Sequence, residues 1–173
     1  MIISEQMHEA LNKQIGNEFS ASLTYIAIAS YFDRESLPEL ADFFYRQAEE
    51  ERAHAMRFVR SLVDAGASVH IPAIPEARSH FSTAEEAVSR ALDGEMTVTQ
   101  QVNALVNQSI QEGDHITHAA LQWFVTEQLQ ELSTMDTLLK IVRRAGERGL
   151  LHVEEYLTRH RTLSRTSRTS PTE

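Results

Sequence analysis

The chain contains no cysteine. That one absence excludes disulfides, thiolate zinc sites, iron–sulfur clusters and cysteine nucleophiles. Glycine and proline are scarce, six and four in 173 residues, which excludes collagen-like and low-complexity architectures. Aromatic residues make up only 7%, yet hydrophobic residues reach 42%, enough to build one packed domain at this length. No apolar run approaches the ~20 residues needed to span a bilayer, so no membrane partner is expected. Basic side chains are outnumbered, 16 Lys and Arg against 25 Asp and Glu, for a formal charge of −9. Such a balance argues against a nucleic-acid partner and favours cationic ones. The opening residues MIISEQMHEALNKQ lack the basic start and apolar stretch of a signal peptide, and a cytoplasmic location is expected.

What the chain does have is a helical apolar period along almost its whole length. A first helix is predicted over residues 4–32, and a turn follows at 33–36. Ser36 and Glu39 form a capping box for a second helix, with Pro38 tolerated in its first turn, and Gly66 stops that helix. Residues 67–83 contain Pro72 and Pro75 and cannot be continuously helical. Ser82 and Glu85 form another capping box, opening a third helix to residue 112. Asp114 caps a fourth helix that ends near Gly146, and a short fifth is predicted over 150–160. The remaining residues, 161–173, are rich in Ser, Thr and Arg and read as a flexible tail.

Connection lengths set the expected topology. Each long helix spans about 43 Å at ~1.5 Å per residue. The short breaks at 33–36 and 113–114 force antiparallel hairpins. The connection at 67–83 reaches roughly 56 Å when extended, enough to run the length of a bundle. The prediction is an all-α four-helix bundle: two hairpins joined by one long crossover, with a short fifth helix.

Helical wheels place carboxylates where leucines belong. The apolar stripe of the first helix is Leu11, Ile15, Ser22, Tyr25 and Ala29, with Glu18 in its middle. On the second it is Leu40, Phe44, Phe58 and Leu62, interrupted by Gln47, Glu51 and His54. On the third it is Val88, Leu92, Val102, Val106 and Ile110, around Glu95 and Thr99. On the fourth it is Leu121, Phe124, Leu132, Met135 and Leu139, with Gln128 central and Glu131 at the edge. Glu50 and Glu127 flank the stripes.

Each of these polar groups lies near the midpoint of its helix, and in an antiparallel bundle midpoints share one level. Burying an ionised carboxylate in a dry medium costs several kcal/mol even after relaxation, against a whole-domain stability of about 5–15 kcal/mol. No Lys or Arg lies on these stripes at mid-height. Either the carboxyls are protonated at raised pKa, or cations sit among them. Oxygen donors plus one imidazole suit iron or manganese, and zinc can also bind. Glu51-x-x-His54 alone is a weak signal. Its conjunction with one mid-height carboxylate on every other helix is strong, because a Glu from each of two helices and Glu-x-x-His from the others is the di-iron pattern of ferritin-like bundles.

The strings NEFSASLTYIAIASYFD (17–33), FYRQAEEERAHAMRFV (44–59) and QWFVTEQLQEL (122–132) carry a resemblance to the non-haem bacterial ferritins that extends to about His160. That resemblance implies a shell of 24 subunits that takes up Fe(II), oxidises it at a di-iron ferroxidase centre with dioxygen or hydrogen peroxide, and stores the ferric mineral inside. It implies Glu18, Glu51 and His54 on the first iron, and a bridging Glu51 with Glu95 and nearby Glu131 on the second. Gln128 and Tyr25 are then hydrogen-bonding neighbours, Tyr25 also a candidate electron donor. A third, weaker iron site would use Glu50, Glu127 and Glu131, with Gln130 where a further carboxylate is usual. No haem is expected, since Arg52 stands where haem-carrying relatives present a Met and the fourth helix offers Gln128-x-x-Glu131 in place of a second Glu-x-x-His. The alternative is a di-iron oxidase or peroxidase acting on an organic substrate, which would require an apolar pocket beside the metals.

Overall fold

The computed structural model describes residues 2–167. Four long helices, α1 (Glu5–Arg34), α2 (Pro38–Asp64), α3 (Ala84–Gln111) and α4 (His115–Ala145), are followed by a 3-10 turn (Glu147–Gly149) and α5 (Leu150–Ser167). No strand occurs among the described residues. Helix α1 packs along α2 and α3 along α4. Contacts between α1 and α3 join the two hairpins, and α5 closes one end against α2 and α4. This is the predicted bundle.

Apolar stripes pack into two clusters, one at each end. Phe32, Phe44, Val88, Met135 and Leu139 lie in the cluster that α5 covers. Met7, Ile15, Phe58, Val102, Leu121 and Phe124 fill the other. The polar layer lies between them. One stripe residue departs from expectation: Ile110 is 61% exposed, and Ser109 is buried instead. The buried register near the end of α3 is Val102, Leu105 and Ser109, so the core face is turned by one residue there.

Helix ends show where local sequence rules yield to neighbours. Asp114 caps α4 as predicted, accepting from Thr117 N, and Ser4 caps α1, accepting from Met7 N. Ser36 does not cap α2. It adopts φ 61°, and bonds from Ser36 N to Asp33 O and Leu37 N to Phe32 O use it to terminate α1. Leu37 takes the cap position without a side-chain bond, and the predicted Ser36–Glu39 box is absent. The N–H groups of Glu39 and Leu40 instead donate to the Glu154 carboxylate of α5, at 2.9 and 2.8 Å. The box expected at Ser82 and Glu85 lies one residue later. Thr83 Oγ1 accepts from Glu86 N, and the Glu86 carboxylate accepts from Ser82 N. Helix α5 continues past its predicted end at His160, through Ser167; the last part of the expected tail, residues 168–173, lies outside the described residues.

The crossover is anchored to α1. Asn12 Oδ1 accepts from His70 N at 2.6 Å, and the His8 ring bonds Ser68 O at 2.6 Å. One turn further along, Gly16 leaves room for Pro72, whose Cγ would collide with any Cβ at that position.

Candidate metal centre

Period and length bring the polar residues to one level. Glu18 on α1, Glu51 and His54 on α2, Glu95 on α3, and Gln128 and Glu131 on α4 are all buried; Glu18, Glu51 and Glu95 are each 1% exposed. Glu50 and Glu127 are half-buried beside them, while Gln130 is exposed.

Two trios gather around one imidazole. Ligand atoms of Glu18, Glu51 and His54 lie within 4.8 Å of one another, and so do those of His54, Glu127 and Glu131. His54 Nδ1 is 3.4 Å from Glu51 Oε2. Glu95 belongs to neither trio. Tyr25 donates a hydrogen bond to Glu95 Oε1, and Gln128 Nε2 donates to Glu95 Oε2 at 3.0 Å and to Thr99 Oγ1 at 3.2 Å. Glu50 accepts from Gln47 Nε2 at 2.7 Å and lies against Glu131. Ser22, on the α1 stripe, ties α1 to α2 through Ala48 O at 2.7 Å. The His54 ring is held edge-on by Trp123 and Phe124, with centroids 5.4 and 6.0 Å away, and Arg57 stacks over the Trp123 indole.

The wheel did not single out the amides behind Glu18. Gln14 Nε2 donates to Glu18 Oε1 at 2.7 Å and to Gln101 Oε1 at 3.3 Å, and Asn17 Nδ2 donates to Gln14 Oε1 at 3.0 Å. The available signal was spacing: Gln14 stands four residues before Glu18 and shares its face.

Electrostatically, the layer is overloaded with acid. Burial pushes Glu18 and Glu51 well above the usual carboxylate range, and each is raised further by a neighbouring carboxylate, Glu51 and Glu95 respectively. Burial, then Glu95 and Glu50, push Glu131 up to about 9. Burial also raises Glu95, opposed by the bonds it accepts from Tyr25 and Gln128. The Tyr25 phenol is held well above its ordinary value by burial and by Glu95. Among the described residues no Lys or Arg pairs with Glu18, Glu51, Glu95 or Glu131. Glu18 Oε2 and both oxygens of Glu51 are buried with no amide, hydroxyl, Lys or Arg donor; the two carboxyls and the His54 imidazole face one another. Buried acceptors without such donors that converge on an imidazole fit a hard or borderline divalent cation.

A four-helix bundle with an interior layer of this kind defines a ferritin-like protein. The ferritin-like domain family matches residues 8–145. The chain is 41% identical over 169 residues to "Ferritin BfrB" of Mycolicibacterium smegmatis, covering 98% of this chain and 93% of that one. It is 34% identical over 146 residues to a "Bacterial non-heme ferritin" of Staphylococcus aureus, covering 84% and 88%. Among solved structures, the open-pore ferritin of the archaeon Archaeoglobus fulgidus superposes with a TM-score of 0.87 at 34% identity, covering 90% of this chain and 96% of that one. The chain belongs to the bacterial ferritin family. Membership makes it a protein of iron storage. No helix among the described residues is long and apolar enough to cross a membrane.

Proposed function

We propose that this protein oxidises Fe(II) within its own bundle and deposits the ferric product inside a shell of 24 copies. The observation that carries the reading is Glu51: a buried carboxylate that no amide, hydroxyl, Lys or Arg donor serves, set between Glu18 and His54. Iron is substrate and cargo. Glu18, Glu51 and His54 receive the first ion, and Glu51 reaches toward a second held with Glu95 and Glu131. Two Fe(II) ions give two electrons to one dioxygen, which takes up two protons and leaves as hydrogen peroxide. With peroxide as oxidant, the same two electrons and two protons yield two waters.

The side chains around these ions have distinct tasks. Glu131, pushed up to about 9, holds its proton at neutral pH and releases it as the ions enter, which helps balance charge in a dry interior. Tyr25 and Gln128 fix the orientation of Glu95, and Tyr25, bonded to that carboxylate, can supply an electron. Gln128, a neutral amide in the Glu position of a second Glu-x-x-His, and the lack of a second His, leave the ligand set incomplete enough for the oxidised ion to depart. Glu50, Glu127 and Glu131 form the onward site, weakened because Gln130 supplies no charge. Arg52 is exposed and offers haem no axial ligand. Assembly of like subunits is supported by apolar side chains left in solvent, among them Leu23, Ile26, Ile116 and Leu129.

The organic-substrate alternative needs an apolar cavity against the carboxylates. An apolar cavity of about 230 Å³ lies at the bundle end among Ile2, Ile3, Leu11, Phe58, Ile116 and Phe124, and no layer carboxylate lines it; the groove of about 160 Å³ that reaches Tyr25 is lined in part by Asn17, Arg90 and Gln101.

Aerobic Fe(II) addition followed by sizing and iron analysis tests the proposal. The expected result is rapid oxidation, with iron retained in a very large soluble particle far beyond the capacity of the bound sites. His54→Ala is expected to slow the initial rate more than about tenfold, as loss of a ligand costs at least what loss of a supporting partner does, while assembly is unchanged. Oxidation at the wild-type rate in that variant would remove His54 from the centre.

A further inference from the structure

We propose that Gln14 is a positioning residue that presets Glu18 to bind metal through a single oxygen; the inference rests on the metal-centre reading above. Glu18 is 1% exposed and Gln14 2%. The two oxygens of Glu18 have different surroundings. Oε1 accepts from Gln14 Nε2 at 2.7 Å, whereas Oε2 is buried with no amide or hydroxyl donor. Gln14 therefore occupies one lone-pair direction of Oε1 and leaves Oε2 without a donor, in a carboxylate that offers one oxygen to the trio with Glu51 and His54.

The amide is itself held. Its oxygen accepts from Asn17 Nδ2 at 3.0 Å, and its nitrogen also donates to Gln101 Oε1 at 3.3 Å. Asn17 lies on the same helix and Gln101 comes from α3, so the brace spans the α1–α3 contact. Both line a groove of about 160 Å³ on that face. A side-chain amide with two independent restraints cannot rotate away from Glu18 without breaking both. Supporting partners of this kind fix ligand orientation, and losing one typically lowers metal affinity about 10–100-fold.

Co(II) is the probe, added without oxygen to the assembled protein and followed by its visible ligand-field absorption. Wild type is expected to show tight binding with a low-symmetry spectrum, lost in Glu51→Gln. For Gln14→Leu, which keeps bulk but removes the amide, affinity is expected to fall about tenfold, and the spectrum to shift as Glu18 turns or binds through both oxygens. A purely structural role for Gln14 would lower the melting temperature and leave the spectrum unchanged; that result, or affinity within about twofold of wild type, overturns the proposal. Should Gln14→Leu not assemble, Gln101→Leu decides: a weaker change in the same direction is expected, and wild-type binding overturns the brace. Failure of wild type to bind Co(II) in a Glu51-dependent manner would instead defeat the metal-centre reading itself.

Discussion

At the residue scale, protonation and metal binding compete for the same carboxylates. Glu131 has an ordinary value of 4.5 and is pushed up to about 9 in the fold. Between those values the unfolded chain has released this proton and the folded chain retains it. Stability of the metal-free protein therefore falls as pH rises through that window, and the contribution is fully present only below about 4.5. Glu131→Gln removes the titration while keeping shape. It is expected to match wild type near pH 5 in urea denaturation and to be more stable by about 1–3 kcal/mol near pH 8. A divalent cation should reverse the order at the higher pH, because only the wild type gains a ligand. A constant difference across pH would show that Glu131 does not titrate in the fold. Glu18 and Glu51 are raised in the same direction and from the same cause, burial, so the whole layer trades stability for affinity.

At the scale of elements, α5 is more than a cap on the greasy end of the bundle. Glu154 places its carboxylate on N–H groups in the first turn of α2, where local sequence offered only Leu37. A negative charge at a helix N-terminus is favoured by the dipole, and side-chain caps are worth about 0.5–2 kcal/mol. Glu154→Ala is expected to lower unfolding free energy by about 1–2 kcal/mol. It should also speed hydrogen exchange at Glu39 and Leu40 relative to the centre of α2. Unchanged exchange at those two amides would show that the cap is redundant. The misplaced boxes at Ser36 and Ser82 have one lesson. A Ser three residues before a Glu is a valid local signal at both places. At the first, the preceding helix needed Ser36 for its own ending; at the second, Thr83 offered an equal hydroxyl one position nearer the helix.

On the scale of the whole molecule, the crossover makes two hairpins into one bundle. It lies on α1 through Asn12, His8 and the gap left by Gly16. Gly16→Val would drive a branched side chain into Pro72, and overpacking of this kind costs about 1–3 kcal/mol. The loss should appear as a lower denaturation midpoint and faster exchange at the His70 amide, with α3 and α4 little affected. An undisturbed His70 amide would mean that the loop relaxes around the new side chain.

Much of this protein was legible in one dimension. Helix number, hairpins, crossover and the mid-height level of Glu18, Glu51, His54, Glu95, Gln128 and Glu131 follow from a 3.6-residue period and from connection lengths, both local properties. Which polar groups touch was decided by packing. That His54 joins two acidic trios, that Glu95 is claimed by Tyr25 and Gln128, and that Gln14 and Gln101 stand behind Glu18 all depend on the rotation of each helix about its axis. The same rotation buries Ser109 and exposes Ile110. A periodic pattern locates the face of a helix only to within about one residue, or ~100°; contact between neighbouring helices supplies the rest.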